Sequence, residues 1–191
     1  MNEIATWLRE RVPPDEDLDR AQLAELATAL GRESRLWSDL VRHDPDERYF
    51  VQLYRDTHLD IWLICWLNQQ DTGYHDHDLS AGGVYVCDGS LMEDRFHFDG
   101  DTFRETSRER SEGSVFDFDA AYIHRMRHPG GAPATSIHVY SPALWRMGYY
   151  ERDANGDLCR TSITYADEAW GNPWFPHEPP PSGRKRPALG P

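Results

Sequence analysis

Near residue 45 the texture of this chain changes abruptly, and that change limits its possible folds more than any other feature. Before it, apolar residues recur at helical spacing, Ile4, Leu8 and Val12, then Leu23, Leu26, Ala29 and Leu30, each set lying on one helix face. Pro13-Pro14 ends the first helix by removing backbone donors, and Asp17 is placed to cap the second. From Arg48 on, short runs of Val, Ile, Tyr, Trp and Phe are punctuated by Gly, Asp, Asn and Pro, the cadence of an antiparallel β-barrel or sandwich. The expected strands are Arg48–Tyr54, Leu59–Leu67, Gly83–Cys87, Leu91–Phe98, Ser114–Phe118, Ile123–Arg127, Thr135–Ser141 and Arg146–Glu151. The run Ile61–Trp66 is apolar on both faces, as a strand covered on two sides would be, although periodicity alone also admits a buried helix segment. These signals predict one mainly β domain over residues 1–171, with a helical cap at 1–44 and a barrel at 45–171. Residues 172–191 are Pro-rich without apolar periodicity and read as an extended tail.

Charge and cysteine usage narrow the function. A formal net charge of −13 repels a polyphosphate backbone, and the short basic run Arg184-Lys185-Arg186 is too small to reverse it. Nucleic acid is therefore not an expected partner. Cys65, Cys87 and Cys159 are widely spaced, odd in number and form no CxxC pair, which fits a reducing compartment. The first residues are charged throughout and lack the apolar centre of a signal peptide, and no later run approaches a membrane span. The expectation is a cytoplasmic protein without a membrane association, and no sequence feature points to a protein partner.

The chemistry concentrates in Tyr74-His75-Asp76-His77-Asp78. Two histidines one residue apart leave the same face of a strand and can converge on one ion. In isolation such a run is an ordinary polar loop; here His124 supplies a third imidazole in a later expected strand. The interval from Gly113 to His124, and that from Gly82 to Gly89, match the two motifs of the cupin superfamily. The glutamate that the first motif normally carries after its histidine pair has no counterpart, since Ala81 and Gly82 occupy that region. The expected face is three neutral imidazoles, a donor set suited to iron and also to zinc, copper and nickel. Farther on, Ser136, His138 and Tyr140 alternate along one strand and share a face, where they could form a hydrogen-bonded relay ending in a phenol or an ordinary buried network.

The segments LICW, HDHDLSAGG, DGSL, IHR and SIHVYSPAL together resemble the cysteine dioxygenase family of thiol dioxygenases, from about Arg48 to Glu151. The resemblance implies a cupin-type antiparallel β-barrel, or jelly roll. It implies Fe(2+) held by His75, His77 and His124, an outer relay of Ser136, His138 and Tyr140, and Trp66 in the barrel wall. It also implies a reaction in which a small thiol and O2 give a sulfinate. In some members the tyrosine is joined to a cysteine that stands where this chain has Gly82, so no such crosslink is expected.

Members acting on cysteine carry an arginine that clamps the carboxylate, and the matching position here reads as Val51. Arg55 and Arg48 are nearby in sequence, and a one-residue slip would exchange the faces. Taking Val51 in the pocket at face value, the expected substrate is a thiol other than free cysteine. Mercaptopropionate is one candidate. Ergothioneine is another, its cationic group received by rings drawn from Tyr49, Phe50, Trp62, Trp66, Tyr74 and Tyr85, with Asp76 or Asp78. The alternatives left open are a non-catalytic metal- or ligand-binding cupin and a cysteine dioxygenase whose clamp has moved to another arginine such as Arg55 or Arg125.

Overall fold

A computed structural model describes residues 3–99 and 102–165. The expected tail, and the end of the barrel range beyond residue 165, lie outside the described residues. The chain folds as expected into a mainly β jelly roll of the cupin type with helices at its start. Helix α1 spans Glu3–Arg9 and α2 spans Arg20–Arg32. Helix α2 begins at Asp19, not Asp17: the Asp19 carboxylate accepts from the Gln22 amide at 2.9 Å while the Gln22 side chain accepts from the Asp19 amide, a reciprocal capping box. Asp17 instead pairs with His58 at 2.8 Å. The buried stripe of α2 is Leu23, Leu26, Ala27 and Leu30, and Ala29 faces water.

Eleven strands follow among the described residues: β1 Tyr49–Arg55, β2 Asp60–Trp66, β3 Tyr74–Asp76, β4 Ala81–Asp88, β5 Ser90–Asp99, β6 Thr102–Ser111, β7 Val115–Phe118, β8 His124–Arg127, β9 Ala134–Ser141, β10 Arg146–Arg152 and β11 Leu158–Tyr165. One sheet has the order β1-β2-β9-β4-β7 and the other β11-β10-β3-β8-β5-β6. Eight of these strands fall on the expected segments; β3, β6 and β11 are additional.

The first sheet is covered on both sides, which explains why β2 is apolar from Ile61 to Trp66 and buried at every position. Its outer face carries Ile61, Leu63, Cys65, Ile137 and Val139 against Leu23, Leu26, Ala27 and Leu30 of the cap. Its inner face carries Trp62, Ile64, Trp66, Val84, Val86, Phe116, Phe118 and Tyr140 against Leu91, Met126 and Met147 inside the barrel. Parity along each strand therefore decides whether a side chain sees the helices or the barrel interior. Among the described residues no helix is long and apolar enough to cross a membrane.

Candidate metal centre and cavity

The second sheet brings the histidines together. Strand β3 lies between β10 and β8 with His75 directly opposite His124, and His77 follows two residues after His75 on the same side. One ring nitrogen from each of His75, His77 and His124 lies within 4.8 Å of the others, and all three residues are buried. Burial, then neighbouring imidazoles, drives His75 and His77 well below the ordinary histidine pKa, so both are neutral and keep lone pairs for a metal.

Two of the three rings are oriented from behind. His75 donates from Nδ1 to the Gly73 carbonyl at 2.9 Å. His124 Nδ1 sits 3.3 Å from Glu93 Oε1, and Glu93 also accepts from Tyr122 Oη at 2.8 Å and from Arg110 Nε at 2.9 Å. Burial alone would push the Glu93 carboxyl up, but His124 and Arg110 outweigh it and hold it at about 2. Glu93 is thus ionised, and His124 presents a protonated Nδ1 to it and a free Nε2 to the centre. His77 differs: neither of its ring nitrogens has a hydrogen-bond partner. Two unsatisfied nitrogens in a fully buried ring are costly unless something occupies one of them, and a metal held with His75 and His124 would do so. The residues present therefore fit a metal held on a face of three ring nitrogens.

Strand β9 places Ser136, His138 and Tyr140 on the inner face, as expected. Ser136 Oγ lies 2.9 Å from His138 Nε2, and His138 Nδ1 lies 3.3 Å from Tyr140 Oη. Trp66 donates its indole N–H to Ser136 Oγ at 2.9 Å. Burial is the main cause that lowers His138 to about 3 and that raises the Tyr140 phenol; both are neutral. One cavity joins His138 and Tyr140 to His75 and His124: Arg48, Ile64, Thr72, His75, His124, Met126, His138, Tyr140, Met147 and Tyr149 line it.

Four expected substrate contacts are placed differently. Val51 pairs with Leu63 and Tyr49 with Cys65, which puts both on the outer face against the helical cap. Phe50 and Arg48 have the inward parity, and Arg48 lines the cavity. Arg55 is buried against Asp60, Gln52 Nε2 completing the Asp60 shell at 2.9 Å, and its Nη2 donates to the Leu144 carbonyl at 2.9 Å. Trp66 is an inner wall residue that bonds to Ser136 and meets the cavity through the Arg48 guanidinium, 5.0 Å from its ring centroid. Nor are Asp76 and Asp78 available to a cationic group: Asp76 accepts from Arg160, Tyr150 and the Gly148 amide, and Asp78 from Arg146. Tyr85 faces the cap, the Tyr74 hydroxyl donates to Glu105, and Arg125 pairs with Asp71.

Sequence reasoning missed Glu93, Phe118, Tyr122, Tyr149 and the inner-wall residues Met126 and Met147. A signal for Glu93 existed: it shares a strand face with Leu91, and an inward carboxylate needs donors.

The family model of cysteine dioxygenase type I matches residues 4–153. The chain belongs to the cysteine dioxygenase family. Its fold is also similar to a double-stranded β-helix protein of Klebsiella pneumoniae at 14% identity, covering 68% of this chain and 93% of that one with a TM-score of 0.49. A protein of Thermus thermophilus is similar at 18% identity over 56% of this chain and 93% of that one, TM-score 0.48. A cupin superfamily protein of Desulfitobacterium hafniense is similar at 11% identity over 55% and 86%, TM-score 0.46.

Proposed function

We propose that this cysteine dioxygenase family member is a mononuclear iron(II) enzyme that converts a small thiol bearing an anionic group, with O2, into the sulfinate. The observation that carries the reading is a single cavity lined by His75, His124, His138, the Tyr140 phenol and the Arg48 guanidinium, with His77 within metal-binding reach of His75 and His124. His75, His77 and His124 would hold the metal, and iron bound there would supply the redox centre at which sulfur and dioxygen meet. The overall step is balanced without another reductant: a thiolate plus O2 gives RSO2−, with both oxygen atoms on sulfur and all electrons from it.

The chain's own residues hold and orient the reactants. Trp66 can only donate, so Ser136 Oγ accepts from it and turns its own hydrogen toward His138 Nε2. Neutral His138 then carries its proton on Nδ1 and donates to the Tyr140 oxygen. That assignment leaves the Tyr140 hydrogen for the cavity, where it can donate to thiolate or oxygen. Arg48 is fixed by its Nη1 bond to the Asp71 carbonyl at 2.7 Å and by Trp66 beneath it, which leaves the guanidinium placed to receive a carboxylate.

Among the described residues that line the cavity there is no carboxylate, which favours an anionic thiol over a cationic one. The expectation of a non-cysteine substrate rested on Val51 facing the site; with Val51 turned to the cap, that basis is gone, and a relocated clamp at Arg48 accommodates cysteine and mercaptopropionate alike. Oxygen uptake by iron-loaded protein decides among cysteine, mercaptopropionate, ergothioneine and cysteamine. Turnover of the thiol acids with cysteamine inert is expected. Uptake with none of the four would overturn the enzymatic reading in favour of a non-catalytic metal-binding cupin.

A further inference from the structure

Phe118 is fully buried at the end of β7, with its ring beside two of the three metal-binding imidazoles. It stacks on His77 with ring centroids 4.6 Å apart and planes 22° from parallel, and lies 5.0 Å from His124 and 6.2 Å from Tyr140. Tyr122, which donates to Glu93, also stacks on Phe118 at 5.3 Å. His77 is the imidazole without a hydrogen-bonded partner on either nitrogen. Its ring plane is held by packing alone, against Phe118 on one side and Tyr140 at 5.1 Å.

The same ring explains Gly82. That residue pairs with Phe118 across β7 and with Tyr140 across β9. A Cβ added at Gly82 would lie 2.2 Å from Phe118 Cζ and 2.4 Å from Cε2, far inside contact distance, so any side chain there must displace the ring. The Phe118 ring fills the space over Gly82 that a side chain would otherwise take.

We propose that Phe118 is a positioning residue for the metal centre, supplying at His77 the orientation that Gly73 supplies at His75 and Glu93 at His124, and that Gly82 is glycine to admit it. Loss of an orienting partner behind a metal ligand typically weakens binding about 10–100-fold, and a lost stacking contact falls at the lower end of that range. The inference rests on the three-histidine reading, and its test separates the two.

The probe is Co(II) alone, titrated into metal-free protein and followed by its visible d–d absorption. Phe118→Leu, which keeps apolar volume but removes the ring face, is expected to lower Co(II) affinity roughly tenfold and to alter the spectrum. Gly82→Ala, which leaves the ring but pushes it, is expected to act in the same direction. The double variant should be no weaker than Phe118→Leu alone, because the alanine then has no ring to displace. Phe116→Leu removes another buried ring of the same cluster, 6.4 Å from His124, and should leave affinity within about twofold. If both Phe118→Leu and Gly82→Ala bind Co(II) with wild-type affinity and spectrum, the positioning role is wrong; should Phe118→Leu fail to fold, Gly82→Ala decides alone. A wild-type protein that takes up no Co(II) would reject the metal centre itself.

Discussion

Asp76 and Arg160 meet at 2.8 Å behind the strand that carries His75 and leads into His77. The aspartate between the two histidines points away from them, and its carboxylate also accepts from Tyr150 Oη at 2.5 Å and from the Gly148 amide at 3.0 Å. Gly148 makes this possible, because a Cβ there would stand 1.9 Å from Arg160 Nε. Strand β3 has only three residues, so these bonds tie a short ligand-bearing strand to β10 and β11. Asp76→Ala is expected to destabilise the protein by roughly 1–3 kcal/mol, since it removes the acceptor of the buried Gly148 amide and of the partly exposed Tyr150 and Arg160 side chains. Urea unfolding checks it, and an unchanged midpoint would assign Asp76 no structural part.

His77 should be a liability to the metal-free protein. With both ring nitrogens buried and unpartnered, His77→Leu is expected to stabilise the apoprotein by about 1 kcal/mol, because it removes an uncompensated desolvation cost. The same substitution should abolish stoichiometric metal binding. Unfolding of metal-free wild type and variant side by side makes the comparison; a clearly less stable variant would mean that the nitrogens are satisfied in the apoprotein.

Arg48→Met should raise KM for a thiol acid about 10–100-fold, the equivalent of a charge-assisted hydrogen bond of roughly 1.5–3 kcal/mol, with a smaller effect on kcat. Val51→Ala, on the cap side of β1, should leave KM unchanged. Steady-state kinetics on both variants distinguish the two faces of β1, and a KM effect at Val51 with none at Arg48 would reverse the assignment.

Much of this arrangement was legible in the sequence, and the failures have physical causes. Alternation placed Ser136, His138 and Tyr140 on one face because their neighbours Ile137 and Val139 are plainly apolar. At Tyr49-Phe50-Val51 three consecutive apolar residues sit in a strand covered on both sides, so alternation carried no information about which parity faced the barrel, and Val51 was read into the wrong compartment. Strand β6, TFRETSRERS, is a polar sheet edge whose conformation comes from its ten-residue pairing with β5. Strand β3 exists only through its partners. Phe118 looked like any core phenylalanine, and nothing local tied it to Gly82, thirty-six positions earlier.

Tyr140→Phe should retain metal affinity and lose about ten- to a hundredfold in kcat, because only a hydroxyl held by His138 is removed. Metal titration and single-turnover rates together check this. Unchanged turnover would leave Ser136, His138 and Tyr140 as a buried network that stabilises the wall.

The most direct measurement is the fate of isotopically labelled dioxygen. Iron-loaded protein is given a thiol acid under 18O2 and the product is read by mass spectrometry. The account expects a sulfinate with both oxygen atoms labelled and one O2 consumed per thiol. A disulfide, or a sulfinate carrying oxygen from water, would contradict it.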